Sequence, residues 1–212
     1  MSSVPVPDSG IGSEMAETAS DMLALGTAAP DFRLSDAVSG RSVALADLAP
    51  DLPLLVMFIC NHCPYVVHVR SEFVRLARDY DARVTIVAIN SNSIKTHPQD
   101  GPEHMRALAI KLGWTFPFLF DSSQDVAKAY HAACTPDFFL FGATVGGLRR
   151  LVYRGQLDAS RPGNREPVTG ADLRSAIEAL LGGREVNPDQ HASLGCNIKW
   201  SPGNEPVHSG AR

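Results

Sequence analysis

Two apolar runs constrain this chain more than any other feature. Residues 52–59, "LPLLVMFI", and 83–90, "RVTIVAIN", are nearly unbroken in apolar character and of strand length. A strand without polar alternation must be covered on both faces. Between the runs, Val66, Val69, Phe73, Leu76 and Ala77 recur at steps of three and four, which predicts a helix from Pro64 to Tyr80.

The remaining elements follow by the same reading. Phe32 and Leu34, then Val43 and Leu45, alternate around a Ser39-Gly40 turn and predict a β-hairpin. Pro102 to Leu112 reads as a helix stopped by Gly113, and "FPFLF" as a short strand. Asp121 or Ser122 is expected to cap a helix running to His131. "DFFLF" and "LRRLVYRG" flank a glycine-rich turn and predict a second hairpin. Thr169 is expected to cap a last helix, Asp172 to Leu181, stopped by Gly182-Gly183. Alternation of strands and helices predicts an α/β fold, a central mixed sheet flanked by helices. Residues 1–24 read as a flexible leader, 25–185 as the domain and 186–212 as a tail packing back on it.

With 212 residues the chain can bury one sizeable core. A net charge of −4 without a long basic run argues against nucleic acid or an anionic membrane as partner. No apolar stretch reaches the roughly 18 residues of a membrane span. The N-terminal residues lack a basic and an apolar region of secretory type, so the expected compartment is the cytoplasm. Structural disulfides are uncommon there, and Cys60, Cys63, Cys134 and Cys196 are expected to be free, catalytic or metal-bound.

Cys60-Asn61-His62-Cys63 stands where the first apolar run meets the first helix. Pro64 suits the first helical position, which puts Cys63 at the N-cap. Unpaired N–H groups and the helix dipole then favour its thiolate, and His62, if protonated, adds to the effect. Cys60 lies at the strand end without that help, so Cys63 is the better nucleophile. A C-x-x-C is also half of a zinc site, but neither Cys134 nor Cys196 supplies the other half. A copper ion held by Cys60, Cys63 and a downstream histidine such as His131 is the alternative of a different class. Otherwise no metal and no organic cofactor is expected. His68 falls on the first helix as a half-exposed residue, His97, His104 and His131 are scattered, and Trp114 reads as core.

"LGTAAPDFRLSDAVSGRSVALADL", "CNHCPYV", "CTPDFF", "YRGQLDASRPGN" and "LGCNIKW" resemble the thioredoxin-fold peroxiredoxin superfamily, in its peroxiredoxin-like AhpC/TSA or redoxin-domain branch, over about residues 25–206. The resemblance implies a thioredoxin-like fold with Cys63 as attacking thiolate. Against thioredoxins, Val66 falls on the second cysteine and Met57 on a buried acid. Against peroxiredoxins, Cys60 replaces a threonine and Val56 a proline. Their activating arginine would fall near Thr135, where this chain has Thr135-Pro136, matching the cis-proline loop of thioredoxins. The implied activity is thiol–disulfide exchange or peroxide reduction, with thioredoxin or a small thiol as electron donor and a peroxide or protein disulfide as substrate. A homodimer is compatible with the family. Cys60 is the first choice for closing a disulfide with Cys63, then Cys196, then Cys134. Arg154 and Arg161 are candidates for stabilising a thiolate or a peroxide oxygen.

Overall fold

The structure, a computed structural model, describes residues 17–206. The strands, in chain order, are β1 (Glu17–Ala19), β2 (Arg33–Asp36), β3 (Ser42–Ala44), β4 (Leu54–Phe58), β5 (Thr85–Asn90), β6 (Phe118–Phe120), β7 (Cys134–Thr135), β8 (Asp137–Phe141), β9 (Leu151–Gly155) and β10 (Leu194–Asn197). The α-helices are α1 (Pro64–Asp79), α2 (Pro102–Leu112), α3 (Asp125–Ala129) and α4 (Ala171–Leu181).

Seven strands form the main sheet in the order β3-β2-β6-β5-β4-β8-β9. The apolar run of β4 lies inside it, parallel to β5 and antiparallel to β8. Its side chains alternate between two cores. Leu55 and Met57 face the core built with α1, α2 and α4, while Leu54, Val56 and Phe58 face the one built with α3 and Ile198. That two-sided burial is what a strand without polar alternation requires. Phe58, Tyr130, Phe139 and Phe141 pack tilted or edge to face with ring centroids 5.4 to 5.9 Å apart. Met57, at the position where the resemblance puts a buried acid, is a fully buried apolar residue. Among the described residues no helix is long and apolar enough to cross a membrane.

Two helix starts differ from expectation. α3 begins at Asp125 behind Gln124, and Asp121 acts from further back, its Oδ2 accepting from the Ala127 N–H at 3.0 Å. The helix ends at Ala129, two residues short of His131. α4 begins behind Gly170, not Thr169. Gly170 has φ +68, and a Cβ there would stand 2.9 Å from Glu72 Oε1, so glycine is required. Asp158 replaces the expected cap: its Oδ2 accepts from the Thr169 and Gly170 N–H groups at 2.7 and 2.6 Å.

A second sheet has no counterpart in the sequence reading. Its order is β1-β10-β7, antiparallel throughout. Part of the expected leader, Glu17–Ala19, is therefore a strand, while residues 1–16 lie outside the described residues. Part of the expected tail, Leu194–Asn197, is the middle strand.

Candidate thiol active site

β4 ends two residues before Cys60, and Cys63 opens α1 as its N-cap, with Pro64 at the first helical position. The first turn carries no acidic residue, so the positive end of the helix is not neutralised from within. The Val66 N–H faces the sulfur and favours its ionised form. Cys63 is only 1% exposed. Burial disfavours charge, so a thiolate there needs specific donors.

Those donors are sulfur. The neighbouring Cys196 and Cys60 thiols, with the Val66 N–H, outweigh burial and hold the Cys63 pKa well below the ordinary thiol value. The same contacts, with burial, push Cys196 and Cys60 up, so both stay protonated as donors. Cys60 Sγ also lies 3.4 Å from Thr135 Oγ1. As a thiol, Cys63 donates to the Thr135 carbonyl oxygen at 3.1 Å. Once ionised it loses that bond and faces an acceptor, so the two neighbouring thiols and the helix terminus carry the charge. The Thr135-Pro136 peptide bond is cis, and the loop lies directly against the sulfurs.

β10 brings Cys196 there by pairing with β7 in the register Cys196 to Thr135. On its other side β1 pairs Glu17 with Cys196. Tyr65, two residues into the site helix, donates to Glu17 Oε2 at 2.5 Å and ties the strands down over the site. Accepting Glu17 as partner, Tyr65 is pushed up to about 12.

His62 Nδ1 lies 2.8 Å from Asp100 Oδ2. The carboxylate is fully buried and also accepts from the Asn61 N–H at 3.0 Å and from Asn92 Nδ2 at 2.8 Å. Asp100 raises the pKa of His62, and the Cys63 thiolate raises it further. Burial works against the Asp100 carboxylate, but His62, Asn92 and the Asn61 N–H together hold its pKa below the ordinary value. Asp100 and Cys63 thus favour the imidazolium form of His62. Sequence reading named His62 but missed Asp100, whose only local signal is Pro98-Gln99-Asp100-Gly101, a turn.

For metal, Cys60 Sγ, His62 Nδ1 and an Asp100 oxygen lie within 4.8 Å of one another. His131, expected as a copper ligand, is exposed beyond the end of α3 and is not in that group.

The other expected residues are placed as follows. Cys134 is fully buried, pushed up by burial and by Asp137, with its sulfur 3.7 Å from Pro136 O and 3.9 Å from Ser193 O. Arg154 donates to Leu23 O and Gln190 Oε1, at 2.9 and 2.7 Å. Arg161 donates to Asp158 O and Ser160 O, at 2.6 and 2.7 Å, and to Gln156. Both guanidiniums are spent on holding loops, and their hydrogen bonds go to oxygen and not to a site sulfur. His68 bonds Ser160 Oγ at 2.7 Å. Asp137, beside Pro136, was not singled out by sequence. It is fully buried with Oδ2 unpartnered, and burial raises its pKa to about 8.

The chain is similar to two solved structures over most of its length. An uncharacterized conserved protein from Geobacillus kaustophilus is 51% identical, with a TM-score of 0.84, covering 89% of this chain and 98% of that one. A hypothetical protein from Sinorhizobium meliloti 1021 is 49% identical, with a TM-score of 0.83, covering 88% of this chain and 100% of that one. The fold alone is shared with a secreted Mycobacterium tuberculosis disulfide oxidoreductase, 17% identical with a TM-score of 0.54 over 70% of this chain and 96% of that one. No curated protein gives a significant match. Residues 25–150 match the AhpC/TSA family, more than half of the chain and a span that includes both Cys63 and Thr135, and the chain therefore belongs to that family as a redoxin-type protein of thioredoxin-like fold.

Proposed function

We propose that the protein is a thiol-dependent oxidoreductase in which Cys63 is the attacking thiolate. The observation that carries this reading is the environment of one sulfur: a buried helix N-cap position against the cis Thr135-Pro136 loop, with two neighbouring thiols and a backbone N–H that favour its ionised form. With a peroxide, the Cys63 sulfur bonds the near oxygen, the O–O bond breaks and the alcohol or water leaves with a proton. A neighbouring thiol then attacks the sulfenic acid, water leaves and a disulfide closes. With a disulfide substrate, Cys63 displaces one sulfur and the neighbouring thiol displaces the other. Either way two thiols lose two electrons, and thioredoxin or a small thiol restores them. The Thr135-Pro136 loop shapes the site, and His62, held by Asp100, supplies positive charge beside it. The test is peroxide consumption driven by a dithiol, together with iodoacetamide labelling against pH. Cys63→Ser should abolish turnover, and Cys63 should label first near pH 6. Faster labelling of Cys60 or Cys196 at that pH would remove Cys63 from the attacking role.

The Cys60, His62 and Asp100 donors favour a second reading, a copper-carrying protein, with Cys60 in the ligand group and Cys63 outside it. Metal analysis of protein purified under reducing conditions separates the two. Stoichiometric copper that is lost in Asp100→Asn supports the carrier; metal-free protein with full turnover supports the oxidoreductase.

A further inference from the structure

The short strand β7 carries Thr135, whose carbonyl and hydroxyl oxygens both meet site sulfurs. An edge strand beside a reactive cysteine is where an extended chain bearing a sulfur would dock, by adding itself to the sheet. In this protein the edge is already taken. β10 pairs with it antiparallel, Cys196 opposite Thr135 and Asn197 opposite Cys134. β1 then covers the far side of β10.

We infer that β10 is a built-in stand-in for an incoming chain, so that Cys196, not Cys60, closes the disulfide with Cys63, and the closed site serves small oxidants of the peroxide class and excludes extended protein segments. The inference rests on the proposed oxidoreductase function and specifies its partner thiol and its substrate class.

Three observations support it. First, the fit of β10 is close. A Cβ on Gly195 would stand 2.1 Å from Thr135 O, so only glycine lets the strand approach. Second, β10 is anchored at both ends. Ser193 exchanges bonds with Ser20, its carbonyl accepting from the Ser20 N–H at 2.9 Å and its N–H donating to Ser20 Oγ at 3.0 Å. Past the strand, the Ile198 N–H donates to Ala133 O at 3.1 Å, and Lys199 O accepts from the Ser93 N–H at 2.7 Å. Cys196 is therefore a fixed part of the site, which removes the cost of closing a long loop. Third, the two candidate thiols sit in different fields. Cys63 and burial push both thiols up; Asp100 adds to this at Cys60, and Lys199 partly offsets it at Cys196.

The peroxide takes two electrons from the Cys63 thiolate, giving sulfenic acid and water or alcohol. Cys196 attacks that sulfur, the S–O bond breaks, water leaves with the thiol proton, and the Cys63–Cys196 bond forms. A dithiol, or two small thiols, then reduces the Cys63–Cys196 bond to two thiols and is itself oxidised to a disulfide.

The test uses full-length reduced protein and one equivalent of hydrogen peroxide, followed by acidic digestion without reductant and mass mapping. The expected product is a Cys63–Cys196 linked peptide pair. A Cys63–Cys60 bond, or sulfinic acid on Cys63 with Cys196 still free, overturns the inference while Cys63 stands as the attacking thiol. Cys63 recovered as a free thiol overturns both. Occlusion is tested separately with a polyethylene-glycol maleimide against iodoacetamide. Wild type should react with the bulky reagent much more slowly, and Gly195→Ala, which cannot seat β10, should gain about tenfold in bulky labelling of Cys63. Equal rates with both reagents in wild type would show that β10 excludes nothing, whatever the folding of the variant.

Discussion

Asp100 reaches the thiol site through His62, and the pair has a pH window of its own. The histidine pKa is raised in the fold, so its contribution is complete below the ordinary 6.5 and is lost as pH rises through the folded value. The carboxylate pKa is lowered, so its contribution is present above the ordinary 3.8 and is lost as pH falls through the folded value. Asp100→Asn should bring the His62 titration down towards the ordinary value, slow alkylation of Cys63 near pH 6, and cost about 1–3 kcal/mol of stability. A proton NMR titration of His62 checks the first outcome, and an unchanged midpoint would mean that Asp100 does not set the imidazole's charge. At this scale the N-cap position of Cys63 was legible in the sequence because its cause is local, a proline at the next position and a helical pattern behind it. Asp100 was not, since it comes from a turn far along the chain and only the fold brings its carboxylate to His62.

Elements show the same division between local and distant causes. α1, β4 and β5 were readable because periodicity and length alone specify them. β1 and β10 were not: "ETA" and "LGCN" have little strand character, and pairing with each other and with β7 makes them strands. The start of α4 belongs to this second kind. Asp158 is 3% exposed and accepts from three backbone N–H groups, of Ser160, Thr169 and Gly170, at 2.9, 2.7 and 2.6 Å. Asp158→Ala leaves those donors unpaired, those of Ser160 and Gly170 on buried residues, which should cost about 2–5 kcal/mol. Urea unfolding measures it, and a loss under about 0.5 kcal/mol would show that water takes the place of the carboxylate.

For the whole molecule, Asp137 sets a slope of stability against pH. An unfolded chain ionises it near the ordinary 3.8, whereas burial holds it protonated in the fold to about 8. Between those values the folded state carries the extra proton, so stability falls as pH rises, by about 1 kcal/mol per pH unit. Asp137→Asn should flatten that slope and leave the variant the more stable at pH 8, as urea unfolding at pH 5 and pH 8 will show; parallel slopes would count against a buried, protonated carboxyl. The α/β class was legible from alternation of patterns, but the order of strands was not, because pairings such as β4 with β8 join residues far apart in sequence. Strand β10 has one more consequence, for synthesis. The ribosome makes Cys63 long before residues 194–197, and the main sheet, β2 to β6 with β8 and β9, is complete before β10 exists. A nascent chain therefore passes through a stage in which Cys63, the proposed nucleophile, is made and not yet covered by β10. Products of premature termination before Leu194 would keep it so, as unguarded thiols that capture other chains.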